Sequence, residues 1–265
     1  MPHTVLPSLL ALFALVPATV LALRGEARNT RYWAALALAV LGPSAWALLQ
    51  VDDAWRTGLA VTLWVTIAVT MLLFAGLTMV TEAAWRLTTL LLPYLLVLGT
   101  LATIWERLPE PMLSSGSHGA WIVVHILVSV VTYGLVNLAA VAGLAVFLQE
   151  RALKRKRPSW LVRLLPAVAD AEALQVRLLV ASQIVLGVGL ATGISVYYLA
   201  TGRLIPFDHK TVLSLATFVL IAVLLVAHYR VGLRGRRAAR LVLLAWLLLT
   251  LAYPGVKFVT GVLMA

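Results

Sequence analysis

Apolar runs of about twenty residues, separated by short polar and basic segments, recur along the whole chain. Eight stand out, at roughly 5–23, 33–50, 58–80, 86–104, 120–149, 174–200, 211–229 and 238–262. Each is close to the ~20 residues a helix needs to cross a hydrocarbon core. The expected fold is all-α: a polytopic transmembrane helix bundle of about eight spans, forming a single membrane domain over 1–265. The first run could be read as a signal peptide, but its basic residues, Arg24, Arg28 and Arg31, follow the apolar stretch instead of preceding it. Only two loops of any size are expected, about 105–119 and 150–173. The second opens RALKRKRPSW and reads as a short helix lying at the headgroup level.

Composition agrees with lipid as the solvent. Of 265 residues, 62% are hydrophobic and 12% charged, and mean hydropathy is +1.00. A soluble domain of this size cannot hide so much apolar surface. The absence of cysteine excludes disulfides and thiolate chemistry. A net charge of +11 raises nucleic acid as a partner, but the charges lie between apolar spans, so that partner is rejected. With the N-terminus outside, sixteen Lys and Arg fall in the loops after spans 1, 3, 5 and 7, and five fall on the other side. An asymmetry that alternates with every span is the positive-inside pattern. It predicts both termini on the outer, periplasmic side of a bacterial cytoplasmic (inner) membrane. Trp46, Trp55, Trp105, Trp121, Tyr197 and Tyr198 then fall near outer ends, and Trp33, Trp85 and Trp160 near inner ones, as an aromatic belt.

The seventh span carries the most pointed chemistry. It opens with Asp208, His209 and Lys210, and it reaches His228 just before the block Arg230, Arg234, Arg236, Arg237 and Arg240. His209 and His228 are therefore about 28 Å apart along a helix. His118 and His125 are seven residues apart, which puts them on nearly one helix face. His118, His125 and His209 all fall on the outer side, where they could meet in one pocket if spans 5 and 7 are neighbours. Membrane histidines are costly and tend to face a cavity or ligand. An imidazole pair beside a flat apolar cofactor suits haem; the same residues could hold a divalent metal, relay protons, or simply bond a neighbouring helix. The string GVGLATG, with Gly187, Gly189 and Gly193, lies inside a span with no preceding strand, and is read as close helix packing rather than a nucleotide loop.

Three stretches carry a family resemblance. WIVVHILVSVVTYGLVNLAAVAGLAVFLQE, from Trp121, is similar to a span reading roughly WLxxHVxxxxxSYxxL in the cytochrome c assembly family (CcsA/CcmC/HemX-like), with His125 and Tyr133 on the pattern. LLPAVADAEALQVRLLVASQIVLGVGLATG resembles LPSLExLxxLxYRLIxxGFxLLTxGxxTG. AHYRVGLRGRRAARLVLLAWLLLTLAYPGVKFV resembles LHxRxxxGWRGRRAAxxxxxGFxxxLxxYxGVN, with His228 on the family histidine. The resemblance covers about 115–262, leaving 1–110 as four divergent spans, and looks closest to the YpjD-type branch. It implies a haem cofactor, with His125 as an outer ligand of the haem iron and His228 as a membrane-embedded one. It also implies other assembly subunits or apocytochrome c as partners.

The chain departs from that pattern where the family reads roughly WSWDPKETW and this sequence reads IPFDHKTVL. Asp208 and Lys210 align, the tryptophans are gone, and His209 stands in place of proline. A second outer histidine after the last span is also missing. An aromatic cradle supplies much of a porphyrin's contact area, so the departures argue against full cytochrome c synthase activity. His209 or His118 is then the candidate second outer ligand. The expectation is a haem-binding, haem-handling membrane protein. The alternative is a non-enzymatic accessory or regulatory subunit of a haem-synthesis or metal-transport system that has lost haem. A small cation transporter is disfavoured by the shortage of buried carboxylates in the spans.

Overall fold

The computed structural model describes residues 5–52, 58–106, 120–156, 159–202, 208–255 and 258–259. Along them run α1 (Leu6–Arg24), α2 (Thr30–Asp52), α3 (Leu59–Val80), a 3-10 segment (Glu82–Leu87), α4 (Thr88–Trp105), α5 (Ala120–Arg155), α6 (Trp160–Leu164), α7 (Val168–Thr201), α8 (His209–Val231) and α9 (Gly235–Thr250). A π-helical turn, Leu251–Gly255, continues α9. Among the described residues eight helices are long and apolar enough to cross a membrane, and no strand occurs. The all-α polytopic bundle expected from the hydropathy pattern is the fold.

α5 is the central post. It packs most extensively on α7, then on α9 and α3. Small residues permit the close approach: Ala139, Ala142 and Ala145 are buried, and Gly143 lies against Gln175 of α7 and the Ala239 carbonyl of α9. Such small-residue contacts are how helices associate where lipid offers no hydrophobic drive. α1, α2 and α4 form a second group joined to the post through α3, whose Trp64, Ile67, Met71 and Phe74 are completely buried. Trp64 is fully buried and Trp246 part-buried. Of the tryptophans expected in an aromatic belt, Trp121 and Trp160 are exposed, whereas Trp33, Trp46, Trp85 and Trp105 pack part-buried against the core.

Two boundaries differ from the hydropathy reading. α5 runs to Arg155, and α7 begins at Val168. At 36 and 34 residues, they are roughly 54 and 51 Å long, against a hydrocarbon core of about 30 Å. Their polar ends continue as helix beyond the apolar window, with Glu150 and Glu172 turned to the start of α9. The expected 150–173 loop shrinks to the link between them, which holds the five-residue α6. The Gln149 amide donates to the carbonyls of Val162 and Pro166, both at 3.0 Å, and so pins that link to α5. The 105–119 loop lies almost wholly outside the described residues.

The basic connections meet at one end of the bundle. The Arg28 guanidinium donates to the Thr78 carbonyl at 3.2 Å. Gly25 lies against Leu164 of α6. A cleft of about 560 Å³ separates Glu82, Trp85 and Arg86 from Pro166 and Asp170. Glu150 and Glu172 reach the start of α9. At the opposite end Trp105 packs on Phe258, and Lys210 lies 5.8 Å from the Tyr253 ring centre.

α8 is the outlier. It packs on α9, the π turn and α7, and buries only Thr217, Ile221 and Leu224. The wall expected between the fifth and seventh spans is therefore built differently: α7 and α9, not α8, are the main partners of α5.

Candidate functional site

His125 stands in the second turn of α5, half-buried against α7. Its Nδ1 lies 3.2 Å from Thr192 Oγ1. The Thr192 hydroxyl also reaches the Gly189 carbonyl at 3.0 Å; with its one hydrogen directed there, its oxygen accepts from His125 Nδ1. In that arrangement the neutral ring carries its hydrogen on Nδ1 and a lone pair on Nε2. Gly189 and Gly193 make room on this face of α7. Gly189 approaches Val128, and Gly193 lies against the His125 ring itself. GVGLATG is thus a helix-packing surface, with Gly187 turned toward Phe218 of α8.

The start of α8 lies alongside. Lys210 is near enough for its charge to act on His125. Asp208 is the N-cap of α8, its carboxylate accepting from the Thr211 amide at 2.8 Å. An Asp at an N-cap satisfies an amide that no helical carbonyl reaches. Partial burial works to raise the Asp208 pKa, but the two bonds from Thr211 and the Lys210 charge outweigh it and hold the carboxyl below its ordinary range. His209 is exposed beside it. His118 lies outside the described residues.

His228 sits at the other end of α8, half-buried. Its Nδ1 lies 3.1 Å from the Leu233 carbonyl, which can only accept. Nδ1 therefore carries a hydrogen, and in the neutral ring Nε2 keeps the lone pair. His228 also makes an edge contact with the Tyr229 ring at 5.1 Å. His125 lies against Thr192 of α7, whereas the turn holding His228 is tied to Glu172 of the same helix; twenty residues of helix separate those two positions, about 30 Å. These two histidines cannot serve one iron.

Tyr133 belongs to the interior. Thr250 donates its hydroxyl hydrogen to the Trp246 carbonyl, so Tyr133 is the donor in its 3.0 Å bond to Thr250 Oγ1. Nearby, Trp246 Nε1 and Tyr94 Oη both donate to Asn137 Oδ1, and the Asn137 amide faces Thr70. The bonds tie α3, α4, α5 and α9 together in the core.

Sequence reasoning missed Glu150 and Glu172. Gly235 N donates to Glu172 Oε1 at 3.0 Å, and Arg236 N donates to Glu150 Oε2 at 3.2 Å. The available signal was two acidic residues standing in a strongly basic region, but the helices that bring them to α9 are distant in the chain.

A family profile described as "Cytochrome C assembly protein" matches residues 27–263. The chain belongs to the cytochrome c assembly family. The match reaches into the first four spans as well as the resembling region from Trp121 onward. The chain is also 55% identical, over the full length of both, to an "Uncharacterized 28.8 kDa protein in nifR3-like 5'region" of Azospirillum brasilense. No solved structure matches. His125 and His228 each offer an imidazole ring nitrogen, the kind of axial donor a porphyrin iron takes. A porphyrin supplies four nitrogens, so one or two imidazoles complete the iron's coordination. Among the described residues, no three His, Cys, Asp or Glu side chains gather to hold a bare ion.

Proposed function

We propose that this chain binds and hands on haem in the bacterial cytoplasmic membrane, with its basic end in the cytoplasm and both termini outside. One observation carries the proposal. His125 and His228 each commit Nδ1–H to an oxygen acceptor, and so each keeps an Nε2 lone pair. That is how protein-bound metal imidazoles are oriented, with the remote nitrogen tied to a second partner. His125 would serve an outer site, with Lys210 beside it and His209 or His118 as the second imidazole. His228 would serve a separate inner site. Asp208 positions the start of α8, and Tyr133 anchors α5 to α9 behind the outer site. Bound haem would supply an iron whose axial ligands can be exchanged when it is passed on. Membrane cytochrome-assembly subunits or apocytochrome c are the partners this implies. Eight spans favour the YpjD-type branch within the family.

A second reading is an accessory subunit that has lost the cofactor. The sequence IPFDHKTVL in place of a tryptophan-rich outer motif favours it. Titrating detergent-purified protein with haemin separates the two. A Soret band that shifts on reduction, and that loses intensity in His125→Ala and again in the double variant with His228→Ala, supports haem binding. Colourless wild-type protein that takes up no haemin and co-purifies with another membrane subunit supports the second reading. Comparing His209→Ala with His125→Ala tests the second outer ligand: unchanged haem content in both removes the outer site.

A further inference from the structure

The turn from α8 to α9 reverses the chain over Gly232, Leu233 and Arg234. It carries the Leu233 carbonyl, which holds the His228 ring. The position of that carbonyl depends on what anchors the turn. α8 holds the near side of the turn by its own C-cap, Gly232 at φ +69°, with Leu233 N donating to the Ala227 carbonyl at 3.2 Å. None of its buried residues lies in its final turn, so that cap has little support from packing. The N-cap residue of α9, Arg234, offers no side-chain cap either.

A second anchor, on the far side of the turn, comes from elsewhere in the bundle. The first amides of α9 have no helical carbonyl to bond. Here Gly235 N donates to Glu172 at the start of α7, and Arg236 N donates to Glu150 at the end of α5. Carboxylates at a helix N-terminus gain from charge-assisted bonds and from the helix dipole. α5 and α7 are the longest and most closely paired helices, so they are a rigid support. Position 235 is built for the contact. Its φ is +64°, and a Cβ there would overlap the Glu150 carboxylate. Only glycine meets both conditions.

We infer that Glu150 and Glu172 are positioning residues for His228: together they clamp α9, the clamp fixes the Leu233 carbonyl, and that carbonyl fixes the ring and its tautomer. The use of His228 as an iron ligand rests on the function proposed above. The clamp itself is testable without haem.

The test is long-range proton–nitrogen NMR of the full chain, labelled at histidine nitrogens, purified in detergent and free of haem. His228→Asn assigns the signal. The wild type should show His228 as the Nδ1–H tautomer. In Glu150→Ala/Glu172→Ala the two ring nitrogens should move toward a tautomer average, while the His125 signal stays put. Glu172→Gln keeps an acceptor oxygen and should retain the wild-type signal. Should the double variant aggregate, Glu150→Ala and Glu172→Ala are read singly, and at least one must show the averaging. An unchanged His228 signal in the folded variants overturns the inference. With haemin present, the clamp variants should weaken the His228 site about 10- to 100-fold, as loss of a partner supporting a metal ligand does. A clamp effect on the tautomer in protein that binds no haemin leaves the inference standing and removes the haem reading. Haemin binding with an unresponsive tautomer does the reverse.

Discussion

Gly193 on α7 lies directly against the His125 imidazole on α5: a Cβ added at 193 would come within 2.9 Å of the ring carbon Cε1. The ring fills the space that the missing side chain leaves. Gly193→Val should therefore push the ring off Thr192. The expected outcome is a shifted or weakened His125-dependent Soret band, with the His228-dependent component unchanged. Haemin titration in the His228→Ala background reads the outer site alone.

Thr192 tests the same site from its hydrogen bond. Thr192→Val keeps the shape and removes the acceptor for His125 Nδ1. Haem affinity at the outer site should fall about 10- to 100-fold, at a stability cost of about 1 kcal/mol. Thr192→Ser should restore affinity. Equal loss in both would mean that the methyl packing matters and the hydroxyl does not.

The core network predicts a stability effect with no spectral one. Asn137→Leu leaves the Trp246 donor without its acceptor in the interior and takes one partner from Tyr94, which keeps Tyr133. Each unsatisfied buried group costs about 1–3 kcal/mol, so the detergent Tm should drop clearly. Trp246→Phe removes one donor and one bond together. Its hydrogen-bond loss should be nearer the ~0.6 kcal/mol average of interhelical membrane bonds.

Asp208 predicts a pH dependence. Its carboxyl is held below the ordinary range, burial being outweighed by Thr211 and Lys210. A depressed folded pKa stabilises fully above the unfolded value, about 3.9, and the stabilisation is lost as pH falls through the folded one. Asp208→Ala should cost about 0.5–2 kcal/mol at neutral pH as a lost cap. The gap between wild type and variant in unfolding titrations should close as pH falls below about 4. Asp208→Asn, which still caps, should cost less.

Much of the architecture was legible because a membrane imposes simple rules. Runs such as 58–80 and 211–229 must be helices, since every backbone group in lipid needs a bond within its own segment. The glycines of GVGLATG were legible as packing positions for the same reason. The polar ends of α5 and α7 were not. Residues 150–155 and 168–173 look like loop to hydropathy, yet they continue α5 and α7 as helix and bring Glu150 and Glu172 to α9.

The sequence by itself determined the class, the eight crossings and the clustering of basic loops, because those depend on local apolar length and charge. It also singled out His125 and His228. What each histidine does with its two nitrogens was decided only by tertiary structure. Thr192 is 67 residues from His125, and Glu150 is 86 residues from the α9 amide it accepts from. A hydrogen bond acts over about 3 Å, so no pattern along the chain can specify it until the helices are packed.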